Sequence, residues 1–159
     1  MMRLFISFIL FFNISISYGD CVKTMVKRAY QLSPRSNLHM ELAIELCEHI
    51  PSPYRDYLLV IASIESDMQQ INSSSNKDIG IFQIHVDEIK RRGVYKRLLE
   101  TNIPYQIYVS NDILLTKYEE CKKVYPVSWP ACYHSATKTH HYRYWKIFKA
   151  RYNKIRRIK

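Results

Sequence analysis

Three glycines, Gly19, Gly80 and Gly93, are all that this chain of 159 residues contains. A fold built on many tight β-turns draws on glycine for its positive-φ positions, so this supply argues against an all-β architecture. The apolar residues recur instead at helical steps of three and four. Helices are expected over about 22–31, ending before Ser33-Pro34, and over about 37–49, stopping before Pro51. A third should open at Ser52-Pro53, with the serine as cap and the proline in the first helical position. Tyr54, Tyr57, Leu58, Ile61 and Ile64 carry it to about Ser66. Further helices are expected over 104–125 and 141–155, with short ones over 86–91 and 129–135. The apolar run 79–84, around Gly80 and Gln83, suits a small β element. The reading is a single domain, α+β but mainly α.

The first residues have the form of a targeting signal. Met1-Met2-Arg3 gives a positive start, Leu4 to Phe12 is almost wholly apolar, and Ser17-Tyr18-Gly19 suits cleavage before Asp20. The apolar stretch is too short to span a bilayer as a stable helix, although retention as an anchor is an alternative. Asp20 before Cys21 argues against a lipoprotein signal. The organisation expected is therefore a signal peptide over 1–19, an N-terminal helical segment over 20–50, and a main domain over 51–159 that ends in a basic tail. Cys21, Cys47, Cys121 and Cys132 all lie in the mature part. In an exported chain an even number favours two disulfides, and four cysteines allow three pairings. No CxxC pair marks a zinc site. The formal net charge is +10, with Lys146, Lys149, Arg151, Lys154, Arg156, Arg157 and Lys159 crowding the end. Such a field attracts polyanions in general, but no nucleic-acid-binding motif accompanies it, and a solvated helix end with a frayed tail is the simpler reading.

Glu65 is the residue that suggests chemistry. Leu58, Ile61 and Glu65 stand at i, i+3 and i+7, which puts a carboxyl on the helix face that should be buried. Burial disfavours the charged form, and a carboxyl held neutral can act as a general acid near neutral pH. Taken alone, a glutamate at this spacing more often ends a helix and reaches solvent.

The residues downstream alter that balance. Glu65-Ser66 is followed after seven residues by Ser74, then after five by Gly80-Ile81-Phe82-Gln83-Ile84, and farther on by Ala131-Cys132-Tyr133-His134-Ser135. This arrangement resembles the catalytic domain of lytic transglycosylases, whose pattern runs Glu-Ser, Ser, Gly-Leu-Met-Gln-Ile and Ala-Tyr-Asn. It looks nearest to their small, secretion-associated members. The resemblance extends over about 54–152 and implies a lysozyme-like fold. It implies that Glu65 is the catalytic acid/base, with Ser66 supporting the helix end. Ser74, Gln83 and Tyr133 would contact substrate or the catalytic carboxyl, Phe82 would form apolar cleft wall, and Gly80 would let backbone approach the cleft. Ile81-Phe82 stands in place of Leu-Met, and His134-Ser135 in place of Asn-Ala. Gln106 and Ser110 stand where Asn and Gly are common.

The chemistry implied is cleavage of the bond between N-acetylmuramic acid and N-acetylglucosamine in peptidoglycan glycan strands, without a cofactor. Glu65 would protonate the bridging oxygen and then take the proton of the C6 hydroxyl, closing a 1,6-anhydro ring. Ordinary glycoside hydrolysis needs a second carboxyl, for which Asp78 is the candidate, although a turn aspartate is its simpler reading. A wall-binding protein without turnover is the alternative from another class. The partners implied are a secretion, conjugation or pilus apparatus and an anionic envelope surface, for a monomer located in the periplasm or otherwise outside the cytoplasm. His134, His140 and His141 read as surface histidines rather than metal ligands, and Cys132 as half of a disulfide rather than a nucleophile. Tyr142, Trp145, Phe148 and Tyr152 read as a core stripe rather than a sugar platform.

Overall fold

The computed structural model describes residues 2–72, 77–134 and 137–158, with side chains from residue 17 onward. Ser74, expected to contact substrate or the catalytic carboxyl, lies outside the described residues, as does Ser135. The elements in order are α1 (Met2–Leu32), α2 (His39–His49), α3 (Tyr54–Ser66), β1 (Asp78–Ile79), β2 (Ile84–His85) and α4 (Val86–Arg92). They continue with α5 (Lys96–Thr101), α6 (Ile103–Cys121), a 3-10 segment (Trp129–Tyr133) and α7 (Lys138–Ile155). The chain is thus mainly α, with one small antiparallel pair in the register Asp78↔His85 and Ile79↔Ile84.

The helix expected from residue 22 is continuous with the leader in α1, because Gly19 lowers helical stability without blocking it and no proline intervenes. Among the described residues, no helix is long and apolar enough to cross a membrane. Cys21–Cys47 ties α1 to α2, and Cys121–Cys132 ties the end of α6 to the 3-10 segment, which settles the pairing that the sequence left open. Two disulfides are consistent with export or another oxidising compartment.

The centre of the molecule is α3. Leu58, Leu59, Val60, Ile61 and Ala62 are all fully buried, so the middle of this helix faces core on every side. It packs among α1, α2, α6 and α7. Ser52 does not cap it. Pro53 occupies the cap position without a side-chain bond, and the first amides are satisfied by backbone turns from Tyr54 to Pro51 O (3.0 Å) and Asp56 to Pro53 O (3.2 Å). Its far end is abrupt: Asp67 (φ 55°) and Met68 (φ 57°) are both left-handed, and Met68 N–H donates to Ala62 O at 3.1 Å.

α6 starts as its sequence suggests, with Asn102 Oδ1 accepting from Tyr105 N–H at 2.7 Å and Pro104 in the first turn. On α7 the buried row is His141, Tyr144, Phe148 and Ile155. Tyr142 is 69% exposed, so the expected stripe is rotated. Trp145, Phe148 and Tyr152 do pack on one another, but along the flank of the helix, where Tyr152 meets Tyr57. His141 is not a surface histidine. It is buried, stacks on Tyr125 at 3.9 Å and pairs with Ser128 Oγ at 2.9 Å. Nor is the basic end frayed as far as it is described. Ile155 is fully buried, Lys154 Nζ donates to Gln31 O (2.7 Å), and Arg28 donates to Ile158 O (3.0 Å).

Candidate active site

Glu65 stands on the last turn of α3, one residue before Ser66. Ser66 Oγ donates to Ile81 O at 2.7 Å and is itself approached by Gln69 N–H at 3.2 Å. One hydroxyl therefore joins the end of the central helix to the turn between β1 and β2. That turn is also held from α6. The side chain of Gln106, fully buried, accepts from Ile81 N–H at 2.7 Å and donates to Gln70 Oε1 at 2.8 Å.

Gly80 is required by this arrangement. Its φ is +75°, and a Cβ built there would lie 2.3 Å from Gln106 Oε1. The close approach is to the bracing glutamine on α6, not to the cleft as the sequence reading expected. Gln83 is held at φ 46°, and its amide donates to Ile71 O (3.0 Å) and Gly80 O (2.8 Å). Both donors serve the loop, so what Gln83 offers to the cleft is an acceptor oxygen. Phe82 is fully buried. Its side chain belongs to the core rather than to the cleft wall, and its carbonyl instead accepts from the Tyr133 hydroxyl at 3.4 Å.

The result is a cleft of about 280 Å³ lined by Glu65, Asp78, Gln83, His85, Glu88, Tyr133 and His134, with Ile84 and Ile113 as its apolar floor. Glu65, Gln83 and Tyr133, chosen far apart in sequence, meet here. Asp78 does too, and it sits in strand β1 rather than in the turn that its simpler reading assumed. Among the described residues Glu65 Oε1 is buried without a hydrogen-bond partner, and the side chain is only 13% exposed. The imidazole of His134 stands beside it, with Nδ1 3.7 Å from Oε1 and the ring stacked on Tyr144 at 4.8 Å.

Charge is concentrated around this carboxyl. The Glu65 carboxylate, by its polar contact and its charge, raises the pKa of His134 above the ordinary histidine value; burial opposes the shift and Asp78 adds to it. Tyr144 is pushed well above the usual tyrosine range, by burial first and then by the negative charge of Glu65. Tyr133 is raised as well, again by burial above all, with Ser110 opposing and Glu65 adding. Two neutral hydroxyls and one protonatable imidazole therefore surround the carboxyl. Burial alone would raise Glu88, but hydrogen bonds and charge from Arg91 and Arg92 outweigh it and hold the group below the ordinary carboxylate range.

Among the described residues, three other than glycine have left-handed backbone, namely Asp67, Met68 and Gln83. All lie just after Glu65 or across from it. Such conformations cost on the order of 1 kcal/mol each or more and gather where geometry is held for function. Tyr144 was missed by the sequence reading, which placed the α7 stripe one residue away; the row 141, 144, 148, 155 carried the signal. Among the described residues no cluster of His, Cys, Asp and Glu could hold a metal ion, and Cys132 is disulfide-bonded. Comparison with family models, curated proteins and solved structures gave no match to this chain.

Proposed function

We propose that this chain cleaves the glycan strands of peptidoglycan as a lytic transglycosylase, with Glu65 as the single acid/base on a lysozyme-like domain. The observation that carries the reading is the setting of Glu65. Among the described residues its buried Oε1 makes no hydrogen bond, with the imidazole of His134 3.7 Å away, and the side chain lines a cleft that also gathers Gln83 and Tyr133. A buried carboxyl oxygen without a hydrogen bond costs stability, and a protonated Glu65 would donate its O–H to the bridging glycosidic oxygen, which can only accept.

In this reading Glu65 protonates the oxygen between N-acetylmuramic acid and N-acetylglucosamine. The substrate's own N-acetyl group stabilises the positive anomeric carbon. Gln83 accepts from an amide or hydroxyl of the sugar, and Tyr133, held by Phe82 O, closes the wall beside the carboxyl. Ionised Glu65 then takes the C6 hydroxyl proton as the 1,6-anhydro ring forms, with His134 beside it to offset the negative charge. The chain would act outside the cytoplasm after removal of 1–19. There it would open local gaps for a secretion, conjugation or pilus apparatus, with the basic face of α7 against anionic envelope polymer.

One observation favours a second reading. Asp78 lines the same cleft as Glu65, so a hydrolase with Asp78 orienting a water shares this geometry. Digestion of purified sacculi by the protein and by Glu65→Gln, with products identified by mass, decides among the readings. Anhydro ends lost in the variant support the transglycosylase, and reducing ends lost in the variant support the hydrolase. Equal clearing by both proteins overturns Glu65 as the acid.

A further inference from the structure

A second depression of about 270 Å³ opens on the far side of the same carboxyl. Glu65 and His134 line both hollows and so form the saddle between them. The remaining wall comes chiefly from α7, where His140, Arg143 and Ile147 stand at i, i+3 and i+7 on one helical face, with Ile64 of α3 opposite.

The two hollows differ in charge. The first holds three carboxyls, of Glu65, Asp78 and Glu88. The second holds no acid except the shared Glu65, and it adds Arg143, a permanent cation, and the imidazole of His140. Arg143 is exposed, and among the described residues it is engaged by no acid. A carboxylate would be repelled from the first hollow and drawn to the second. Arginine is the side chain suited to receive it, because its planar fork can take both carboxylate oxygens.

We infer that the hollow on α7 is a binding site for a carboxylate carried by the sugar strand, with Arg143 as its anchor and His140 as a second donor. The inference rests on the proposed glycan-cleaving function and adds direction to it, since the carboxylate end of the sugar repeat is fixed on the α7 side of Glu65. Two sources share this chemistry, namely the lactyl acid of muramic acid itself and the free carboxylates of its peptide stem.

The test uses the inactive Glu65→Gln protein, alone and with Arg143→Gln or Arg143→Lys added. Binding is measured at low and moderate salt to a muramyl tetrasaccharide bearing stems, to the same tetrasaccharide with stems removed to leave lactyl acids, and to neutral chitotetraose. Glu65→Gln should prefer an acidic probe over chitotetraose by roughly threefold to tenfold, the size expected for one partly exposed charge-assisted contact. Arg143→Gln should bring that ratio close to one while leaving chitotetraose binding intact, and Arg143→Lys should keep part of it. A preference for stem-bearing over stem-free strands assigns the site to stem carboxylates, the reverse preference assigns it to the lactyl acid, which is free only once the stem is removed, and equal binding of both acidic probes above chitotetraose shows that the site takes either carboxylate. An unchanged ratio in Arg143→Gln, or no preference in the parent, overturns the site while leaving glycan recognition standing. Failure to bind any of the three probes overturns both the site and the function beneath it.

Discussion

Replacing Glu65 by Gln removes a negative charge 3.7 Å from Nδ1 of His134 with almost no change of volume. Two unit charges at that separation attract by about 1 kcal/mol in bulk water and about 4 kcal/mol at an effective dielectric near 20. The His134 side chain is 46% exposed, so solvent screens the pair and the lower figure applies. In the native protein Glu65 raises the pKa of His134, with Asp78 adding, so in Glu65→Gln the titration midpoint should fall while burial still pulls downward. The ring Cε1–H signal of His134, followed by NMR across pH in both proteins, reads the midpoint directly.

The same coupling has a stability consequence with a definite sign. A histidine whose folded pKa lies above its unfolded value of about 6.5 adds stability in full below that value, and the gain is lost as pH rises through the folded pKa. Relative to the parent, Glu65→Gln should therefore lose about 1 kcal/mol more at about pH 6 than at about pH 9. A midpoint identical in the two proteins would refute the pairing and would leave the saddle without its internal cation.

Gly80→Ala would place a methyl against Gln106 at a backbone position of φ +75°, with a cost of about 2–4 kcal/mol by denaturant unfolding. A cost under about 0.5 kcal/mol would mean that Gln106 does not brace the loop. The double variant Cys121→Ala, Cys132→Ala should lose about 2–3 kcal/mol by loop entropy, together with sacculus cleavage, while α3 keeps its amide-exchange protection. Neutralising Lys154, Arg156 and Arg157 together should weaken binding to sacculi at low ionic strength and leave the unfolding transition within about 1 kcal/mol of the parent. Binding that does not change across a salt series would remove the basic face of α7 from wall attachment.

The helical character was legible because α3, α6 and α7 are long enough for a period of three to four residues to be counted. The six residues of α5 offer a single buried anchor, Leu99, and no period to read. Rotation about a helix axis was harder. In α7 the aromatic row and the buried row differ by about one residue, and which one faces inward depends on α3, a partner that local sequence does not reveal. The meeting of Glu65, Gln83 and Tyr133 was suggested by spacing and resemblance. Gln106 was noticed only as an unusual residue, because its role depends on a turn more than twenty residues away in the chain. The charge contrast across Glu65 was invisible for the same reason, since Arg143 comes to that carboxyl only through the packing of α7 on α3.

The Cys121–Cys132 bond ends one residue before Tyr133, whereas Glu65 depends on no covalent link and is placed by the packing of α3. The two banks of the groove therefore answer to different stresses. A reducing agent should slacken the bank that carries Tyr133 and His134 and leave the acid where it is, whereas a void opened beneath α3 should shift the acid first and leave the stapled bank in place.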